Sequence, residues 1–334
     1  MNKVCTIPTL PTWQQALKAV ITDPAELLTL LQLDKALLPA AHAAAKQFPL
    51  RVPRAFVALM EKNNINDPLL QQILPIGAEN KITPNFSTDP LQEADANPIP
   101  GLLHKYQSRV LLTVTGSCPV NCRYCFRRHF SYADNNPSMR DWQQALDYIQ
   151  ADPRINEVIF SGGEPLLAPD KTLAFLHEAI ADIPHVTRLR IHTRMPVMIP
   201  QRLDKHFQQW FFSSRLKKIM VLHCNHPREI TKNLADALKP LQQNGVTLLN
   251  QSVLLKGVND HADTLAALSE QLFSVGVMPY YLHVLDKVQG TAHFDLSSES
   301  IKKIYHQLQV KLPGFLLPKL VREEPGKHYK SLFS

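Results

Sequence analysis

The sequence predicts an α/β protein: a partial (β/α)6 TIM-like barrel with an N-terminal helical extension. Three observations carry this expectation. From residue 108 onward, short apolar runs alternate with amphipathic helical patterns about six times, the signature of a parallel sheet with helices outside it. Several of the runs end in polar residues, and strand C-termini are where a barrel of β/α units gathers its site. Up to about residue 75 the apolar spacing is that of helices.

In chain order, residues 1–75 form the helical region. TWQQALKAVI, DPAELLTLLQL and DPLLQQILP repeat apolar residues every three or four positions behind Thr or Asp caps. Residues 76–107 form a linker or wrapping segment, because AENKITPNFSTDPLQEADANPIPG is too polar and too broken by proline for a helix. The barrel spans residues 108–318. Its strands are RVLLTVT (109–115), EVIFSG (157–162), RLRIHT (188–193), KIMVLHC (218–224), VTLLNQSVLL (246–255) and YYLHVL (280–285). Their polar ends are Thr115, Ser161, His192, His223, Gln251 and His283. Two further units would be needed for a full eight-unit barrel, and none is evident. Residues 319–334 are left as a C-terminal tail.

Composition narrows the function. With 334 residues and 45% hydrophobic content the chain can bury a large core. No stretch reaches the ~18 apolar residues of a membrane span. The start, MNKVCTIPTLPTWQQ, lacks an apolar signal core, so a soluble cytoplasmic protein is expected. Five cysteines at 5, 118, 122, 125 and 224 argue against a disulfide framework. Cys5 and Cys224 read as ordinary. The net charge of +7 suits phosphate-bearing cofactors or an acidic partner. Basic residues form no block, so nucleic acid is not expected as a partner.

The densest chemistry lies in CPVNCRYCFRRHF, just after the first strand. Cys118, Cys122 and Cys125 can converge on one metal or cluster from a single loop. Zinc usually takes a fourth ligand, and His129 could supply it, so spacing alone leaves zinc open. SGGEP (Ser161–Pro165) follows the second strand, and its glycines would let backbone approach a ligand closely.

These two motifs resemble those of the radical S-adenosylmethionine (SAM) superfamily, which has the same C-x3-C-x2-C spacing and a GGE motif. The resemblance implies a [4Fe–4S] cluster held by Cys118, Cys122 and Cys125, with one iron left for SAM. It implies SAM contacts from the backbone of Ser161, Gly162, Gly163 and Glu164. RVLLTVTGSCPVNCRYCFRRHF, EVIFSGGEPLL, RLRIHTRMPVMIP and TLLNQSVLLKGVND are further similar to the lysine 2,3-aminomutase family, which adds pyridoxal phosphate (PLP). That family is an isomerase family moving an amino group from Cα to Cβ of lysine.

By the same resemblance, Lys330 in REEPGKHYKSLFS forms the PLP Schiff base, with Lys327 as the second candidate. Lys105, Tyr106 and Arg109 in KYQSR match the PLP-phosphate segment, and Gln251 matches a cofactor contact. Lysine at 105, where arginine is usual, gives up bidentate geometry. Arg127 matches the partner of the substrate carboxylate, and Asp286 and Glu323 match two acids that hold the ε-ammonium. Glu323 replaces the more usual Asp. Arg128 and His129 receive no role.

The resemblance extends over nearly the whole chain to a compact γ-proteobacterial branch, through stretches such as LRVPRAFVALMEKNNINDPLLQQIL and PYYLHVLDKVQGTAHF. That branch makes (R)-β-lysine from (S)-α-lysine for the modification of elongation factor P. The implied partners are L-lysine, an electron donor such as flavodoxin or ferredoxin, and transiently the ligase or elongation factor P. A free-lysine metabolic aminomutase and a non-catalytic iron–sulfur partner of the ligase remain the alternatives.

Overall fold

A central sheet whose strands are buried either almost throughout or at alternate residues sets the architecture. The computed structural model describes residues 11–130 and 138–333. Nine strands form one sheet in chain order: β1 (Leu102–Tyr106), β2 (Arg109–Thr115), β3 (Glu157–Gly162), β4 (Arg188–Thr193), β5 (Lys217–Leu222), β6 (Thr247–Leu254), β7 (Met278–Val284), β8 (Lys319–Arg322) and β9 (Ser331–Leu332). Strands β2 to β8 pair in parallel. β1 and β9 flank them as antiparallel partners of β2 and β8. The main crossover helices are Met139–Ala151, Asp170–Ala181, Lys205–Phe211, Lys232–Gln243, Ala262–Ser274 and Ser298–Lys311.

The six strands expected from sequence are present within one or two residues of their expected limits. A seventh parallel strand, β8, extends them. Only Leu320 and Val321 of KLVR are buried, so four residues behind Pro318 carry no readable period.

In β4, Leu189, Ile191 and Thr193 are buried, while Arg188, Arg190 and His192 remain partly accessible. β6 alternates in the same way, burying Leu248, Asn250, Ser252 and Leu254. Leu189, Ile191 and Leu248 pack with helix residues such as Leu173, Leu176, Leu234 and Leu238 in the main core. Arg190, His192 and Gln251, from the opposite set, line a cavity. A polar inward face of this kind makes the barrel a site rather than a packed centre.

Ahead of the barrel run helices Trp13–Lys18, Pro24–Leu30, Leu38–Gln47, Arg54–Val57 and Pro68–Gln71. Thr12, Asp23 and Asp67 cap three of them through their side chains, the last two with proline at the first helical position. Among the described residues no helix is long and apolar enough to cross a membrane.

Candidate active site

The loop after β2 carries the three clustered cysteines, and the N-terminal region holds it from behind. Asn121 N–H donates to Arg51 O at 2.9 Å and Arg123 N–H to Gln72 O at 2.8 Å. The Arg123 guanidinium is fully buried, donating to Glu79 and to Phe48 O at 2.7 Å. Arg128 donates to the same Glu79 carboxylate at 2.7 Å and to Gly290 O at 3.0 Å. Arg128, without a role in the sequence reading, thus has a structural one. His129 meets Gln289 O at 3.1 Å.

All three thiols line one cavity of about 380 Å³. Burial, then the neighbouring thiols, push Cys118 well up and Cys125 to about 11. Bound cationic iron would reverse that, since a coordinating thiol is deprotonated. Among the described residues no three His, Cys, Asp or Glu side chains are gathered as a single-ion site. Three cysteines that border one cavity from a single loop are a donor set that fits an iron–sulfur cluster with one position left open. Cys224 is buried away from the cavity lining, and Cys5 lies outside the described residues.

Gly162, Gly163 and Glu164 line the same cavity, and the two glycines also permit a close approach within the protein. A Cβ on Gly163 would stand 2.5 Å from Ser117 O, and one on Gly162, at φ +118°, 2.7 Å from Thr115 O. Gly163 N–H and Glu164 N–H each donate across this contact at 2.8 Å, to Thr115 O and Ser117 O. The close approach is therefore between the loops after β2 and β3. The buried Glu164 carboxylate accepts from Thr193 Oγ1 (2.7 Å) and from the N–H groups of Leu166 (3.0 Å), Arg194 (2.8 Å) and Met195 (3.0 Å). Its side chain ties the loops after β3 and β4 together.

At the other end, the Pro325–Gly326 turn folds β9 back on β8. Lys330 is thereby returned to the cavity, where its ammonium is ion-paired to Glu323. Lys105 Nζ lies 3.6 Å from Glu323, and Tyr106 Oη donates to it at 3.4 Å. Burial would raise the Glu323 carboxyl, but Lys330 and Lys105 hold it down at about 2. Asp286 is pushed up to about 7 by burial and by Glu323. Arg109 stacks over the Tyr106 ring at 3.8 Å, within the same cavity. Lys327 is exposed, pairs with Glu324 at 2.6 Å and does not line the cavity.

Ser161, Gln251 and Arg127 complete the lining from the sequence-predicted set, and Gln251 Nε2 sits 3.0 Å from His223 Nε2. Arg127 is engaged by Glu93, which the sequence reading missed in the broken linker. It also missed Arg190, Arg194 and the histidines as lining residues. His192, His223 and His283 were visible as strand-end polar residues; burial drives all three down, so they are neutral imidazoles.

Cavity, thiol loop and paired loops describe a radical SAM enzyme, and a radical SAM superfamily model matches residues 112–210. The chain is 51% identical to L-lysine 2,3-aminomutase of Escherichia coli over 97% of its own length and 95% of the relative's. It is 50% identical to that of Haemophilus influenzae, covering 96% and 95%. With that of Clostridium subterminale identity is 34%, covering 94% of this chain and 76% of the relative. The chain belongs to the L-lysine 2,3-aminomutase family. It is an isomerase that works with a [4Fe–4S] cluster, SAM and PLP.

Proposed function

We propose that this cavity converts (S)-α-lysine to (R)-β-lysine, and that the product is used for β-lysylation of elongation factor P. One observation carries the reading of the site: Arg127, the acids Asp286 and Glu323, the three thiols and Lys330 share one enclosure. Lysine as substrate is a carboxylate at one end and an ammonium at the other, so it calls for both charge types. The elongation factor P assignment is supported by the resemblance to the compact branch, carried by stretches such as LRVPRAFVALMEKNNINDPLLQQIL and PYYLHVLDKVQGTAHF.

In this reading Cys118, Cys122 and Cys125 hold the cluster, and Lys330 rather than Lys327 holds PLP. Lys105, Tyr106 and Arg109 receive the phosphate, Lys105 as a point charge. The backbone of Ser161 to Glu164 and the side chain of Gln251 border SAM. When bound, the cluster and SAM supply a carbon-centred radical, and PLP carries the migrating amino group. The chain's own share is to orient the two ends of lysine, to keep the reacting carbon away from water, and to hold Lys330 against Glu323 within the cavity.

The test is an anaerobic assay of the iron-reconstituted protein with SAM, PLP, a reductant and L-lysine, followed by chiral separation of the product. (R)-β-Lysine is expected, and its absence from fully reconstituted protein overturns the enzymatic reading. Deletion in the host should abolish β-lysylation of elongation factor P, with restoration by supplied (R)-β-lysine. Intact modification with impaired lysine breakdown would instead indicate a free-lysine metabolic enzyme.

A further inference from the structure

We infer that Glu93 is a positioning residue that locks Arg127 and Lys105 into one unit, joining the carboxylate-binding and phosphate-binding ends of the cavity. The inference rests on the roles proposed above for those two cations. Glu93 is 4% exposed. Its Oε2 accepts from Arg127 Nε at 2.6 Å and its Oε1 from Arg127 Nη2 at 2.8 Å, a fork-to-fork pair. The same Oε1 accepts from Lys105 Nζ at 3.3 Å. On its other side Arg127 Nη1 donates to Gly162 O at 3.2 Å and to Ser161 Oγ at 3.4 Å. One guanidinium is thus oriented both by the wrapping segment and by the loop after β3.

The segment that delivers Glu93 is itself fixed beyond the acid end of the cavity. Ser87 N–H donates to Lys287 O and Gln289 N–H to Ser87 O, both at 2.9 Å. Gln289 Nε2 donates to Phe86 O at 2.6 Å and to Thr83 O at 3.1 Å. Residues 287–289 directly follow Asp286. A single strap therefore runs from the Asp286 loop to Arg127, between the groups that would face the two ends of lysine.

Displacement of Glu93 by an incoming carboxylate is the competing arrangement. It would strand a buried carboxylate with Lys105 as its remaining partner among the contacts described, and removing one member of a buried pair is strongly unfavourable. Glu93 therefore stays, and the ligand's carboxylate meets a guanidinium already held in place.

The experiment uses iron-reconstituted protein without SAM. PLP affinity is read from absorbance titration, and lysine affinity from the change that lysine causes in the PLP spectrum. Glu93→Gln, Glu93→Asp and Arg127→Lys are compared with wild type, with iron content as a control. Glu93→Gln should weaken both PLP and lysine about tenfold or more at wild-type iron content, because a neutral amide cannot answer two cations. Glu93→Asp, which keeps the charge, should recover part of the loss. Wild-type affinities in Glu93→Gln, beside weakened lysine binding in Arg127→Lys, overturn the inference alone. Unchanged lysine binding in Arg127→Lys overturns the role of Arg127 and the inference with it. Iron loss in both Glu93 variants would make Glu93 a general prop of the fold and also overturn it.

Discussion

The Lys330 ammonium is ion-paired to the Glu323 carboxylate inside the cavity, and each side chain is only 18% exposed. Glu323 is one of the two acids expected to meet the ammonium of a lysine substrate. In the proposed reading, the protein's own lysine occupies the acid that the substrate would need, and would release it on turning to PLP. Lys330→Ala should abolish PLP absorbance and turnover, whereas Lys327→Ala, changing an exposed lysine outside the cavity, should keep both. Loss of absorbance in the second variant and retention in the first would reverse the assignment.

The charge state of Asp286 follows from its neighbours. Its carboxyl titrates at about 7 in the fold against a reference of 3.8. Between those values the folded protein binds more protons than the unfolded chain, so this group's contribution to stability falls as pH rises through the window. Asp286→Asn should therefore stabilise the cofactor-free protein at pH 8, by on the order of 1–3 kcal/mol in chemical denaturation. Lysine binding to wild type brings an ammonium to the acid pair and should draw the Asp286 proton off. Calorimetry at pH 7 in buffers of different ionisation enthalpy should register proton release, lost in Asp286→Asn.

Much of the barrel was legible because its strands and helices differ in period. RVLLTVT and EVIFSG are short apolar runs bounded by polar residues, whereas TLAFLHEAIADI repeats at helical spacing. The thiols were legible because they are local, three within one loop. β8 was not, because four residues hold too little of any period. Glu93 escaped for another reason: it sits in a proline-broken stretch, and its partners Arg127 and Lys105 are brought to it only by the tertiary fold. The glycines of SGGEP were noticed, but their second neighbour, the loop after β2, was not, since only the tertiary fold brings that loop against them.

Gly163 supplies a test of that contact between the two loops. The Cβ of Gly163→Ala would meet backbone atoms, Ser117 O at 2.5 Å and Gly116 C at 2.7 Å, with no flexible side chain to give way. The loop bearing Cys118 must shift. The variant should lose roughly 1–3 kcal/mol of stability. It should also reconstitute with less than the about four irons per chain expected of wild type. Purified anaerobically, wild type should be brown. A colourless, zinc-bearing wild-type protein would remove the cluster from the site.

The buried Glu79 carboxylate bears on the same loop from the opposite side. It is the common acceptor for Arg123 and Arg128, all three side chains being essentially inaccessible. These arginines flank Cys125 in sequence and join it to the N-terminal region and to Gly290. Glu79→Ala leaves two guanidinium charges buried without their carboxylate. The expected cost is about 3–5 kcal/mol in denaturant unfolding, far above that of a surface ion pair. Changing Arg54→Ala, whose pair with Glu26 is half exposed, should cost under about 1 kcal/mol and serves as the control. Because Glu79 touches no thiol, the two readouts can separate. If the network merely stabilises the chain, Glu79→Ala should retain full iron at a temperature where it remains folded. If it sets the curvature of the cysteine loop, iron should fall under those same conditions. We expect the second outcome, since Arg123 N–H and Arg128 Nη1 both bind backbone that frames the loop.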